Sequence, residues 1–281
     1  MTQLLIRLGG LILVAINARN LNISYGDRPI VPNLSLSLET GKVTALIGPN
    51  GSGKSTVLRT LARLLKPQQG TIYLHGREIA TMPTRTIARQ LAMLPQSPDI
   101  PAGITVWEAI AYGRYPHRSL LGGLSHNDLT AMDWALGVTG LTSLRDRLMD
   151  TLSGGERQRA WIAMALAQET QVLLLDEPTT FLDIRHQIDI LALVRKLNRE
   201  RKITVGWVLH DLNQAAAYSD HILMLRSGEV IASGPPAEVM TPENIFAGFG
   251  VEMMVIPHPV TGTPTCFPSE LGILGEIKGV G

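Results

Sequence analysis

Gly48-Pro49-Asn50-Gly51-Ser52-Gly53-Lys54-Ser55-Thr56 decides how this chain is read. It fits G-x-x-x-x-G-K-[ST], the pattern of a loop that cradles a phosphate chain. The flanks agree: apolar Val43 to Ile47 predicts a buried strand running into the loop, and Thr56 to Leu65 predicts a helix leaving it. Glycines let the backbone curl so that successive N–H groups converge on one anion. The helix N-terminus adds partial positive charge. Lys54 is then placed to reach β- and γ-phosphates, and the Ser55 hydroxyl to ligate Mg²⁺. For the nonapeptide alone, a plain Gly-rich strand-to-helix turn is the competing reading.

The chain has 281 residues, enough for one large domain or two modest ones. Basic and acidic residues number 25 and 24, which gives no electrostatic case for nucleic acid or for an anionic membrane surface. A single cysteine, Cys266, allows no internal disulfide and points to a reducing compartment. Residues 1–12 read as a leader running into the first strand; the apolar stretch there is too short to span a bilayer and is broken by Arg7, Gly9 and Gly10. No other segment reaches 18 uninterrupted apolar residues, so membrane attachment would go through a partner.

Strands are predicted over Leu13 to Tyr25, Val31 to Leu38, Val43 to Ile47 and Thr71 to Leu74, with turns at Gly26-Asp27 and Thr40-Gly41. From about Thr105 to Leu144 the pattern turns helical, with loops at Tyr115-Pro116 and Leu121 to Ser125; this reads as a small helical insert. Val172 to Leu175 is a continuous apolar run, as in a strand buried on both faces. Helix Ile184 to Arg199, strand Ile203 to Leu209, helix Asp211 to Ala217 and strands Ile222 to Leu225 and Glu229 to Ala232 follow. The tail from Pro257 gives little signal.

Leu173-Leu174-Leu175-Asp176-Glu177-Pro178 carries the second piece of chemistry. A parallel strand would deliver Asp176 to the ligand edge of the sheet, to hold Mg²⁺ or its water shell. Glu177, one residue on, is placed to orient or deprotonate attacking water. Leu152-Ser153-Gly154-Gly155-Glu156-Arg157-Gln158-Arg159 is the third. Ser153 and Glu156 make a capping box. Two glycines and two cations are nevertheless an uneconomical helix start, and close approach to an anion would justify them.

At that octapeptide the chain resembles the ATPase subunits of ABC transporters, whose LSGGQ-type signature it matches with Glu156 in place of the commoner Gln. The resemblance implies an α/β fold: a P-loop NTPase core with a parallel sheet, an antiparallel β subdomain and an inserted α-helical subdomain. It implies an ATPase domain over 13–268 with the helical part at about 97–160, while the leader at 1–12, His258 where an acid is common, and the tail at 269–281 depart from the family pattern. It also implies that Ser153, Gly154 and Gly155 of one copy contact ATP held by the loop Gly48 to Thr56 of another, in a head-to-tail pair. Tyr25 resembles the aromatic stacked on adenine, although Leu21, Ile23 and Tyr25 also alternate as strand residues. Gln96 matches the glutamine that touches Mg²⁺ and relays the nucleotide state to membrane subunits. Asp183 matches a loop that crosses the dimer interface and also reads as an N-cap. His210 matches the histidine at the γ-phosphate. Catalytic roles would thus fall on Glu177, His210, Lys54 and Asp176, and Mg²⁺ ligation on Ser55, Gln96 and Asp176.

Gly113-Arg114-Tyr115-Pro116-His117, Thr179-Thr180-Phe181-Leu182-Asp183-Ile184, the pair His186-Gln187 and Pro259-Val260-Thr261-Gly262-Thr263-Pro264 resemble importer ATPases for ferric siderophores, the ferric-enterobactin type in particular. That implies ATP and Mg²⁺ as cofactors, and a membrane-spanning permease and, indirectly, an extracytoplasmic substrate-binding protein as partners. The expected location is peripheral, on the cytoplasmic face of the bacterial inner membrane. Cobalamin and haem are the alternative cargoes. A soluble ABC ATPase acting on ribosomes or DNA would carry two cassettes or a long coiled coil, and a P-loop kinase or GTPase would leave the signature unexplained.

Overall fold

A computed structural model of the chain describes residues 13–26, 28–96, 98, 101–119 and 123–269. The predicted leader, Asp27 of the first predicted turn, the start of the loop before Ser125 and all but one residue of the predicted tail lie outside them.

Chain order sets the layers. β1 (Val14–Tyr25) and β2 (Arg28–Glu39) form an antiparallel ribbon. β3 (Val43–Ile47) then crosses to the central sheet and feeds α1 (Lys54–Leu61), two residues earlier than predicted. β4 (Gln69–Leu74) returns to pair with β1, followed by the short β5 (Arg77–Glu78), which closes a sheet of order β2-β1-β4-β5. α2 (Thr84–Ala88) leads into β6 (Leu91–Leu94), a strand not predicted from sequence. α3 (Val106–Tyr112) and α4 (His126–Val138) form the helical insert, and α5 (Gly154–Ala167) runs from it back to β7 (Val172–Asp176). α6 (Ile184–Arg201), β8 (Thr204–Val208), α7 (Leu212–Tyr218), β9 (His221–Arg226) and β10 (Glu229–Gly234) complete the α/β part. α8 (Pro236–Val239), α9 (Pro242–Phe249) and the hairpin β11 (Met253–Pro257) with β12 (Pro264–Pro268) finish the described chain. The tail predicted to carry little signal therefore holds a hairpin.

The central sheet has the order β10-β9-β3-β8-β7-β6. All its pairings are parallel except the β10–β9 edge. Because the strands are buried on both faces, their apolar runs do not alternate with polar residues. They alternate between cores instead. Leu173 and Leu175 pack with α3–α7, whereas Val172 and Leu174 pack with α1 and the β1/β2/β4 layer. Each such leucine removed from water stabilises the fold by roughly 1.5–3 kcal/mol. This double-sided core fixes the carboxyl ends of β3, β7 and β8, where the chemistry collects.

Candidate active site

β3 ends in a loop that only glycine can close. Gly48 sits at φ 148, and a Cβ there would collide with the Leu225 carbonyl at the end of β9. Gly53 caps α1 in the left-handed region, at φ 96. The loop therefore wraps tightly around the α1 N-terminus, and Gly228 N donates to the Ser52 carbonyl at 3.1 Å. Lys54 is buried beneath it, with Nζ donating to the Gly48 and Pro49 carbonyls at 2.9 Å each. Burial pushes the Lys54 ammonium below its ordinary pKa, while the carboxylates of Glu177 and Asp176 pull it back up.

β7 delivers the carboxylates. The Ser55 hydroxyl donates to Asp176 Oδ1 at 2.7 Å. Asp176 Oδ2 is buried and accepts no hydrogen bond, its nearest cation being Arg59 at 3.9 Å. Burial raises the Asp176 carboxyl above its usual range; the Ser55 bond and Arg59 offset only part of that. A hydroxyl beside a carboxylate with one unused oxygen is a hard-oxygen donor set, and it fits Mg²⁺.

Glu177 takes a left-handed backbone, φ 53, a conformation that costs a non-glycine residue roughly 1–2 kcal/mol. Three groups meet at its Oε2: Gln96 Nε2 donates at 2.6 Å, Thr180 Oγ1 donates at 3.0 Å, and His210 Nε2 lies at 2.7 Å. Gln96 follows β6, and His210 follows β8, so the two strands that flank β7 aim at one oxygen. The structure thus gathers Lys54, Ser55, Asp176, Glu177, Gln96 and His210. Sequence reasoning missed Thr180 and Arg59. Arg59 had a signal: it lies four residues after Ser55, on the same face of α1. Thr180 had none, because its partner depends on the turn made by Glu177.

Tyr25, Ser153, Gly154, Gly155 and Asp183 make no hydrogen bond to that group among the described residues. Tyr25 is half exposed at the end of β1, paired with Arg28. That ribbon leans on the loop, since a Cβ on Gly53 would meet Val31 at 3.0 Å. Ser153 caps α5 through the predicted capping box with Glu156. Arg157 donates to the Asp150 and Leu152 carbonyls at 3.3 Å and ties down the preceding loop. Gly155, too, has an internal reason: a Cβ would run into the His186 ring. Asp183 caps α6, accepting from His186 N at 2.9 Å. Both hydrogen bonds from His186 keep the Asp183 carboxyl below its usual range, the backbone one more strongly.

Residues 31–180, just over half of the chain, match the ABC transporter family. The chain belongs to that family. As an ABC ATPase it takes ATP as its nucleotide and hydrolyses it. It is 46% identical to the iron(3+)-hydroxamate import ATP-binding protein of Bacillus subtilis (strain 168), over 92% of this chain and 96% of that one. It is 48% identical to the ferric enterobactin transport ATP-binding protein of Escherichia coli (strain K12), over 90% and 93%. Its fold is similar to that of an inward-facing metal-chelate type ABC transporter, with TM-score 0.81 at 28% identity over 93% of this chain and all of that one. It also resembles a dimeric post-hydrolysis ATP-binding cassette holding ADP and Pi, with TM-score 0.70 at 28% identity over 78% and 98%. Among the described residues, no helix of this ABC ATPase is long and apolar enough to cross a membrane.

Proposed function

We propose that this chain is the ATP-hydrolysing subunit of a bacterial importer for ferric siderophores, working as a head-to-tail pair beneath a membrane-spanning permease. One observation carries the catalytic half of this reading. Six reactive groups converge around the loop of Gly48 to Thr56, while Ser153 and Gly154 stand exposed at the start of α5 and engage none of them. A site built this way is completed by a second copy.

When ATP arrives, Lys54 exchanges the Gly48 and Pro49 carbonyls for the β- and γ-phosphates, a better partner for a desolvated ammonium. Ser55 and Asp176 would hold Mg²⁺, with Gln96 beside them, and the ion would neutralise charge on the phosphate oxygens. Glu177 orients the attacking water and accepts its proton. His210 and Gln96, which now share Glu177 Oε2, turn to the γ-phosphate side once that oxygen binds water. Tyr25 stacks on the adenine. Gln96 and the helical part, about residues 97–160, face the permease, with the segment near 105–144 as the docking face. A substrate-binding protein outside the cell delivers cargo to that permease, and the chain itself stays on the cytoplasmic face.

Cargo is read from likeness and not from site chemistry. The names of both relatives above give iron-chelate transport, and the first gives import. Deleting the gene should abolish uptake of radiolabelled ferric siderophore, and wild-type protein should restore it while Glu177→Gln does not. Normal siderophore uptake with loss of haem or cobalamin uptake would reassign the cargo and leave the ATPase standing.

A further inference from the structure

We propose that His186 is a positioning residue that locks the Asp183 loop to the chain's own signature helix, so that Ser153 and Gly154 are held ready for a second copy's nucleotide. The proposal rests on the paired-site reading above. Three observations lead to it. The imidazole of His186 abuts Gly155 so closely that a Cβ there would collide with its Cδ2. Its Nδ1 is bonded to Asp183 Oδ1 at 2.8 Å, which fixes the ring's orientation from the other side. Leu182, the residue before Asp183, lies 3.8 Å from the position of a Gly154 Cβ. One imidazole therefore packs the first turn of α6 against that of α5, and among the described residues no hydrogen bond links the two turns.

The same loop is tied at its other flank. Gln187 Nε2 donates to the Leu182 carbonyl at 2.9 Å, and its Oε1 accepts from Gln214 Nε2 at 2.6 Å. Gln214 is on α7, the helix that follows His210. At its start, the segment leaves Glu177 through a turn in which Phe181 is also left-handed, at φ 64. A path thus runs from the Glu177 carboxylate by a hydrogen bond to Thr180, along the chain to Asp183, and by a hydrogen bond to His186, whose ring packs against Gly155. It connects the site a chain builds for its own nucleotide with the surface it offers to its partner's. Exposed helix caps do not need an aromatic ring wedged under the neighbouring helix. The glycine at 155, costly in a helix by about 1 kcal/mol relative to Ala, is explained by that ring.

The test is made in a Glu177→Gln background, with ATP-driven dimerisation followed by light scattering on size exclusion. Adding His186→Ala should weaken the dimer about tenfold, the equivalent of one good contact, while affinity of the single chain for a fluorescent ADP stays within about twofold. His186→Asn, whose amide can still reach Asp183, should recover most of the loss. Unchanged dimerisation, ADP affinity falling in parallel, or an Asn variant no better than Ala would each overturn the proposal. If the parent Glu177→Gln chain does not dimerise with ATP, the paired-site reading falls first and this one falls with it.

Discussion

Asp176 and Glu177 are neighbours in sequence with opposite fates. Asp176 is buried, with one oxygen spent on Ser55 and the other unused. Glu177 is turned by its left-handed backbone into a cluster that uses a single oxygen three times. The first environment disfavours the charge and awaits a cation; the second holds a carboxylate by donors. Asp176→Asn should therefore raise the melting temperature of the nucleotide-free protein by a few degrees, because a neutral amide removes the desolvated charge. The same variant should lose the added stability that ATP with Mg²⁺ gives the wild type. Thermal melts with and without both ligands check this, and a fall of several degrees in the free variant would contradict it. Most of the site was legible at this scale because each motif residue sits at a fixed offset from a strand end. What was not legible was tertiary: Thr180 on Glu177, and Gly155 made small by His186, which sequence alone read as an adaptation to an anion.

At the scale of elements, one buried arginine organises the helical insert. Arg114, just past α3, donates Nε to Asp128 at 2.8 Å on α4, and Nη1 to the Ala167 carbonyl at 2.5 Å and to Glu169 at 2.8 Å beyond α5. Burial pushes the Asp128 carboxyl up, but the Ser125 hydroxyl and Arg114 outweigh it and hold the pKa at about 2. Replacing Arg114 by Met leaves that buried charge without its cation, and should destabilise the protein by about 3–5 kcal/mol in urea at pH 7. A loss below about 1 kcal/mol would contradict the assignment. The pH dependence has a definite sign. Asp128 titrates lower folded than unfolded, so its stabilisation is complete above about pH 4 and fades towards pH 2, by about 2–3 kcal/mol. The Arg114→Met protein should show a smaller loss over that window.

Strands β3, β7 and β8 were legible because burial on both faces leaves an unbroken apolar run between turns. β6 was not: Leu91-Ala92-Met93-Leu94 holds no β-branched or aromatic residue, and only its pairing with β7 makes it a strand. The β11–β12 hairpin was hidden by prolines at both ends, and it is held in place by Asn213, which bonds the Cys266 backbone in both directions. α9 was missed although Thr241 caps it and Gly250 closes it, both readable signals.

For the whole molecule, the claim is that two incomplete surfaces on one chain make two complete sites on a pair. The loop, carboxylates and His210 form one surface; Ser153 and Gly154 form the other. Hydrolysis would consume the contact that joins them, so blocking water activation while leaving nucleotide binding intact should trap the pair. The most direct measurement is the mass of the Glu177→Gln protein by light scattering, with and without ATP and Mg²⁺. A shift from one chain to two that requires ATP, and that Ser153→Arg abolishes by crowding the phosphate, is the predicted result. A Glu177→Gln protein that binds ATP and remains a single chain would contradict the account.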